Sequence, residues 1–95
     1  MTSAKFIYKV PEGKLLKIFL EFDEDRINSV KITGDFFVYP EESIETLEKE
    51  LKNALLEKTV LEKKISEFVL YSKTEFFGIT ISGLADAILG AAGAK

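Results

Sequence analysis

Two short stretches of this chain carry residue types that could act on another molecule. Lys9-Val10-Pro11-Glu12-Gly13-Lys14-Leu15 sets lysines on either side of a turn containing proline and glycine. Such a turn can present backbone N–H groups and ammonium charge to a phosphate. The same string is equally suited to a plain hairpin turn whose lysines extend into water. The second stretch, Val30-Lys31-Ile32-Thr33-Gly34-Asp35-Phe36-Phe37, reads as a strand that stops at a glycine. It then places an acid and two large aromatics ahead of Tyr39-Pro40. Loops are usually polar, so two phenylalanines there either cap the core or leave one ring exposed as an anchor for a partner. Gly34 permits the sharp exit and Asp35 is suited to hydrogen-bonding local backbone.

What the chain lacks narrows the chemistry further. It has no Cys, His or Trp, which removes disulfides, zinc and iron–sulfur ligation, thiolate nucleophiles and the usual neutral-pH general base. Carboxylate pairs such as Asp23 with Asp25, or Glu41 with Glu42, fall in polar turns and read as solvated charge. Phosphate-cradling glycine motifs of the Walker or dinucleotide type are absent. No nucleophile–base pair can be assembled and no metal site is expected, so the residues argue against independent catalysis. A net charge of −3 gives no electrostatic reason to expect nucleic acid. The apolar stretch near the end is interrupted by Asp86 and is too short to span a bilayer, so no membrane partner is expected. The first residues do not resemble a signal peptide, and a cytoplasmic location is the default. Charge is unevenly spread: Lys5, Lys9, Lys14 and Lys17 face only Glu12 in the first twenty residues, whereas residues 41–67 hold eight glutamates against five lysines. Such unevenness fits solvated faces.

The elements that position these residues follow from periodicity. Lys5 to Val10 alternates, with Phe6, Tyr8 and Val10 on one side, and predicts a first strand. A second runs from about Lys14 to Phe22, aligning Leu16, Ile18, Leu20 and Phe22. Asp23-Glu24-Asp25-Arg26 has hairpin length, and a third strand follows from about Ile27 to Thr33 with Val30 and Ile32 inward. After Pro40 the period becomes helical: Ile44, Leu47, Leu51 and Leu55 predict a helix over about Glu41–Glu57, with Glu48 and Lys52 spaced to pair on its surface. A second helix spans about Thr59–Ser72, with Leu61, Ile65, Phe68 and Val69 on one stripe and Thr59 and Glu62 spaced as a capping box. Glu75-Phe76-Phe77-Gly78-Ile79 reads as a loop or short extended piece. A last helix starts after Ser82, buries Leu84, Ala87 and Ile88, and gives way to a flexible tail over residues 90–95. These elements predict one α+β domain over residues 1–95, a small antiparallel sheet of about three strands with two to three helices packed on one face.

The Gly34-Asp35-Phe36-Phe37 string, with a proline and an acidic helix close behind it, resembles the accessory C-terminal domain of lipoate–protein ligases. Lys9 to Leu15 is similar to that family's entry segment, with Glu12 in place of its first glycine, a departure that works against a close approach of backbone to an anion. Glu75 to Ile79 and the Ala87-Ile88 pair are similar to the family's tail. The resemblance covers Lys9 to about Ile88. It implies a non-catalytic subunit that docks on the catalytic (large) subunit of a two-subunit ligase, as in archaeal-type bipartite enzymes, and assists ATP-dependent activation of lipoate to lipoyl-adenylate. It implies lipoate, ATP and Mg in the complex, with none bound by this chain alone. Lipoyl-acceptor domains of 2-oxoacid dehydrogenases, or the glycine cleavage protein, would be indirect partners. Lys9, Gly13 and Lys14 are then the expected ligand contacts, Lys14 foremost, and Gly34, Asp35, Phe36 and Phe37 the expected partner motif. Two other readings stay open: an adaptor that binds the lipoyl-acceptor carrier protein, and a structural domain that self-associates through its phenylalanines. The same topology resembles iron–sulfur scaffold proteins, but a chain without cysteine cannot ligate a cluster in their manner.

Overall fold

Alternation of apolar and polar residues builds the sheet first. The computed structural model describes residues 2–11 and 13–93; Glu12, where the entry-segment departure falls, and Ala94 and Lys95 of the expected tail lie outside them. Strands β1 (Thr2–Lys9), β2 (Leu15–Asp23) and β3 (Arg26–Gly34) form an antiparallel meander in the order β1-β2-β3. Phe6 pairs with Ile18 and Ile18 with Ile32, while Tyr8 pairs with Leu16 and Leu16 with Gly34. Because side chains alternate with period two, this register puts Leu16, Ile18, Leu20, Val30 and Ile32 on one face, all buried. A shift between Glu21 and Phe22 brings Phe22 opposite Ile27 near the hairpin end.

Three helices cover that face: α1 (Ser43–Glu50), α2 (Lys58–Ser72) and α3 (Ile81–Ala91). Leu47 and Leu51 from the first helical segment, Leu61 and Ile65 from α2, and Leu84 and Ile88 from α3 are fully buried with the strand residues. Each such side chain stabilises the fold by about 1.5–3 kcal/mol relative to exposure. Phe6 and Tyr8 stack with centroids 6.2 Å apart, and a Cβ added to Gly90 of α3 would lie 2.4 Å from the Phe6 ring. Glycine there lets the helix lie directly on β1. Lys58, at the start of α2, pairs with Asp86 of α3 at 3.1 Å. Both side chains are well exposed, so the pair adds little stability.

Several boundaries differ from the periodicity. The first helix stops at Glu50 instead of continuing to Glu57. Asn53 takes a positive φ of 68°, and the following residues pair with the start of β3: Ile27 N–H donates to Ala54 O, Asn53 N–H to Ile27 O, and Leu56 N–H to Asp25 O. Unpaired strand groups competed with helix propagation there and won. The expected capping box is not made: Glu57 is the N-cap of α2, with no side-chain cap hydrogen bond. The last helix begins earlier than expected, capped by Thr80, whose hydroxyl accepts from Gly83 N–H at 2.9 Å. It runs to Ala91, so residues 90 and 91 are helical instead of belonging to a tail. A second sheet was not expected as such. Strands β4 (Phe37–Tyr39) and β5 (Glu75–Phe77) pair antiparallel in a two-stranded ribbon.

The Glu48 side chain has a different task from pairing with Lys52. Its carboxylate accepts from Ile32 N–H at 2.7 Å, on the free edge of β3, so α1 closes an edge that would otherwise present an unpaired donor. At its end β3 meets a tighter constraint. Gly34 has φ 150°, and a Cβ on it would sit 2.2 Å from Leu15 O. Two outcomes follow for urea unfolding. Glu48→Ala is expected to cost about 1–2 kcal/mol and Glu48→Gln distinctly less, since the amide oxygen can still accept. Gly34→Ala is expected to cost about 1–3 kcal/mol, because backbone and not a side-chain tip stands in the way.

Candidate functional site

Three segments distant in sequence meet at one end of the β1–β2 hairpin. Within the turn, Gly13 N–H donates to Val10 O at 2.8 Å and Val10 N–H to Lys14 O at 3.1 Å. Val10 itself is buried, which anchors the turn to the core. Lys14 N–H then donates to Gly78 O at 2.7 Å, joining the turn to the chain just beyond β5. From the other side, Asp35 N–H donates to Leu15 O at 3.0 Å, joining it to the segment beyond β3. The expected contacts Lys9, Gly13 and Lys14 and the motif Gly34-Asp35-Phe36-Phe37 are thereby neighbours.

Glycine makes the convergence possible at Gly78. Its φ is 94°, and a Cβ there would lie 2.5 Å from Lys14 Cγ and 3.7 Å from Phe36 Cα. The aliphatic stem of Lys14 therefore lies across Gly78 while the residue as a whole stays exposed. Lys9 is also exposed, on the last position of β1.

The two phenylalanines of the motif divide the roles left open by the sequence. Phe36 is half-buried and packs against the core. Phe37 is 75% exposed and stands directly opposite Phe77, itself 50% exposed. Tyr39, two residues further along the same strand face, is 68% exposed. Cross-strand neighbours lie about 5 Å apart at Cβ, so Phe37, Phe77 and Tyr39 form one aromatic strip, with Phe76 packed on the core and Val38 half-buried. The ribbon is held to the helices by a chain of hydroxyls: Thr74 Oγ1 donates to Ser43 Oγ at 3.1 Å and lies 2.6 Å from Ser72 Oγ.

Sequence reasoning missed Tyr39 and Phe77 as surface residues and Gly78 as the pivot. A signal was available in the period-two run Phe37-Val38-Tyr39, which reads as a strand once its partner Glu75-Phe76-Phe77 is set against it. The N–H groups of Gly13, Lys14 and Asp35 are all engaged within the chain. An anion meeting this end would be met by ammonium groups. The described residues contain no group of three His, Cys, Asp or Glu side chains that could hold a metal ion, and no helix among them is long and apolar enough to cross a membrane.

Comparison with known proteins gives this geometry a family. The chain is 41% identical over 51 residues to "Lipoate-protein ligase A subunit 2" of Thermoplasma acidophilum, a stretch covering 54% of this chain and 53% of that protein. About half the length of that curated relative is thus spanned. The fold superposes with a TM-score of 0.78 and 28% identity on a chain from an archaeal lipoylation system, described as a bi-partite lipoate protein ligase and its E2 lipoyl domain from Thermoplasma acidophilum. That superposition covers 92% of this chain and 94% of the other. The profile of the bacterial lipoate protein ligase C-terminus matches residues 7–88, a span that includes the turn, the glycine–aromatic motif and the ribbon. The chain belongs to the family of lipoate protein ligase C-terminal domains.

Proposed function

We propose that this chain is the accessory subunit of a two-subunit lipoate–protein ligase, docking on a separate catalytic subunit and assisting formation of lipoyl-adenylate. The observation that carries this reading is the aromatic strip of Phe37, Tyr39 and Phe77 next to Lys14, on a chain with no nucleophile–base pair. Exposed aromatics are costly for a protein that works alone and are favoured as anchors where a partner covers them. The family match and the likeness to a chain of a bi-partite ligase support the same assignment.

In the adenylation half-reaction a lipoate carboxylate oxygen attacks the α-phosphorus of ATP, and the bond to pyrophosphate breaks. Lipoate, ATP and Mg would be held by the catalytic subunit. This chain would contribute in two ways. Its aromatic strip covers the site and excludes water, which protects a mixed anhydride from hydrolysis. Lys14, and secondarily Lys9, adds positive charge near the phosphates or the carboxylate, where negative charge is concentrated. Lys14 is suited to this because its backbone is fixed at Gly78 while its head group remains free to reach outward. A cytoplasmic setting fits these substrates.

The test is lipoate-dependent ATP–pyrophosphate exchange by the catalytic subunit with and without this chain. Exchange is expected only with both. Phe37→Ala combined with Phe77→Ala should raise the amount of chain needed for half-maximal exchange at least about tenfold, as loss of anchors does. Lys14→Ala should leave that amount unchanged and slow saturated exchange by about tenfold to a hundredfold, the value of one charge-assisted contact. Equal exchange in the absence of the chain would refute the accessory role.

A further inference from the structure

The face of the three-stranded sheet turned away from the helices has a chemistry of its own. The register sets Lys5, Phe19 and Lys31 in one row across β1, β2 and β3, and Ile7, Lys17 and Thr33 in the next. Lys9 continues the pattern on β1. Four lysines thus share a face on a chain whose net charge is −3. Acid is scarce there. Glu21 lies one row beyond Phe19, and its carboxylate accepts from the Ser29 hydroxyl at 2.8 Å. At the strand edge, Glu48 is turned to the Ile32 N–H.

Apolar area sits among these charges. Ile7 is 51% exposed and Phe19 43%. Lys5 Nζ lies 5.6 Å from the centre of the Phe19 ring, so the cation and ring face outward as a unit. A shallow hollow of about 650 Å³ opens at this row, lined by Lys5, Phe19 and Lys31 together with the carboxylates of Glu21 and Glu48. A two-layer α+β protein leaves one sheet face to water, and such a face is ordinarily polar of mixed sign. This one is apolar at its centre, and its lysines outnumber the carboxylates of Glu21 and Glu48 beside it.

We infer that this open sheet face is a docking surface for an acidic protein domain, and that its occupant is the lipoyl-acceptor domain. The choice of occupant rests on the proposed function. Charge complementarity sets the sign of the partner. Scattered lysines interleaved with exposed Ile7 and Phe19 fit a folded protein, which brings apolar contacts as well as negative charge, better than a bare polyanion. The two surfaces of the molecule also differ in the contact each suits. An aromatic strip suits a lasting subunit interface. Lysines around a small apolar centre suit a fast, salt-sensitive encounter, which a protein substrate that must arrive and leave requires.

The experiment is an NMR titration of the 15N-labelled chain with the E2 lipoyl domain of Thermoplasma acidophilum, at low and at high salt. Amide shifts are expected along the outward rows, centred on Lys5, Phe19 and Lys31, with binding weakened at high salt. Lys17→Glu with Lys31→Glu is expected to weaken binding at least about tenfold. An equal charge change on α2, Lys63→Glu with Lys64→Glu, is expected to weaken it much less. The inference is overturned if no amide shifts at low salt, if shifts are confined to Phe37 and Phe77, or if both double variants weaken binding equally. It is also overturned if phosphatidylglycerol vesicles displace the domain from the same amides, which would make the face a membrane surface. Pyrophosphate exchange separates the two proposals: the Lys17→Glu, Lys31→Glu chain should support it at the unaltered rate, and failure of exchange in the unaltered pair leaves the titration result standing.

Discussion

The hydrogen bond from Lys14 N–H to Gly78 O, 2.7 Å long, ties together parts of the chain that sequence keeps far apart. It brings the turn after β1 against the end of β5, and Leu15 O next to it receives the Asp35 N–H. Side chains would block both approaches. A Cβ on Gly13 would lie 2.5 Å from Gly78 O, and one on Gly34 would lie 2.2 Å from Leu15 O. At Gly13 and Gly34 the constraint is therefore backbone packed on backbone, while Gly78 leaves room for the Lys14 stem. The β4–β5 ribbon, the outward set of Phe37 and the seat of the Lys14 stem all depend on it.

This arrangement separates holding from contacting. Buried Val10 anchors the turn and half-buried Phe36 anchors the motif, while their neighbours Lys14 and Phe37 are left outside. Fixed backbones thus carry side chains whose ends reach solvent. The edge of the sheet is handled with similar economy: one carboxylate, Glu48, closes the β3 edge at Ile32. That leaves the β-ribbon and the outward sheet face as separate surfaces, one aromatic and one cationic.

The meander, the helical stripes and the inward residues were legible because they follow from local period. Leu16, Ile18 and Leu20, or Leu61 and Ile65, report a face by spacing alone. The motif residues were also legible, since a glycine followed by an acid and two aromatics is unusual in a loop. What was not legible depended on partners remote in sequence. The first helix ends at Glu50 because residues 53–56 pair with the start of β3, although Leu51 and Leu55 continue the helical stripe. Phe37-Val38-Tyr39 is too short to declare itself a strand, and its partner lies beyond two helices. The capping-box spacing at Thr59 was genuine, yet the helix begins at Lys58 with Glu57 as its cap.

By itself the sequence determined the α+β class, the apolar faces and the absence of thiol and imidazole chemistry, because these need only composition and near-neighbour spacing. It also marked Lys14 and Phe37 as residues to watch. Tertiary structure alone decided that the turn, the motif and the ribbon share one end of the molecule, that Phe36 turns in while Phe37 turns out, and that four lysines from three strands share a face. The reason is physical. Each of those outcomes is fixed by strand register and by close backbone contact between distant segments, and neither leaves a period in the local sequence.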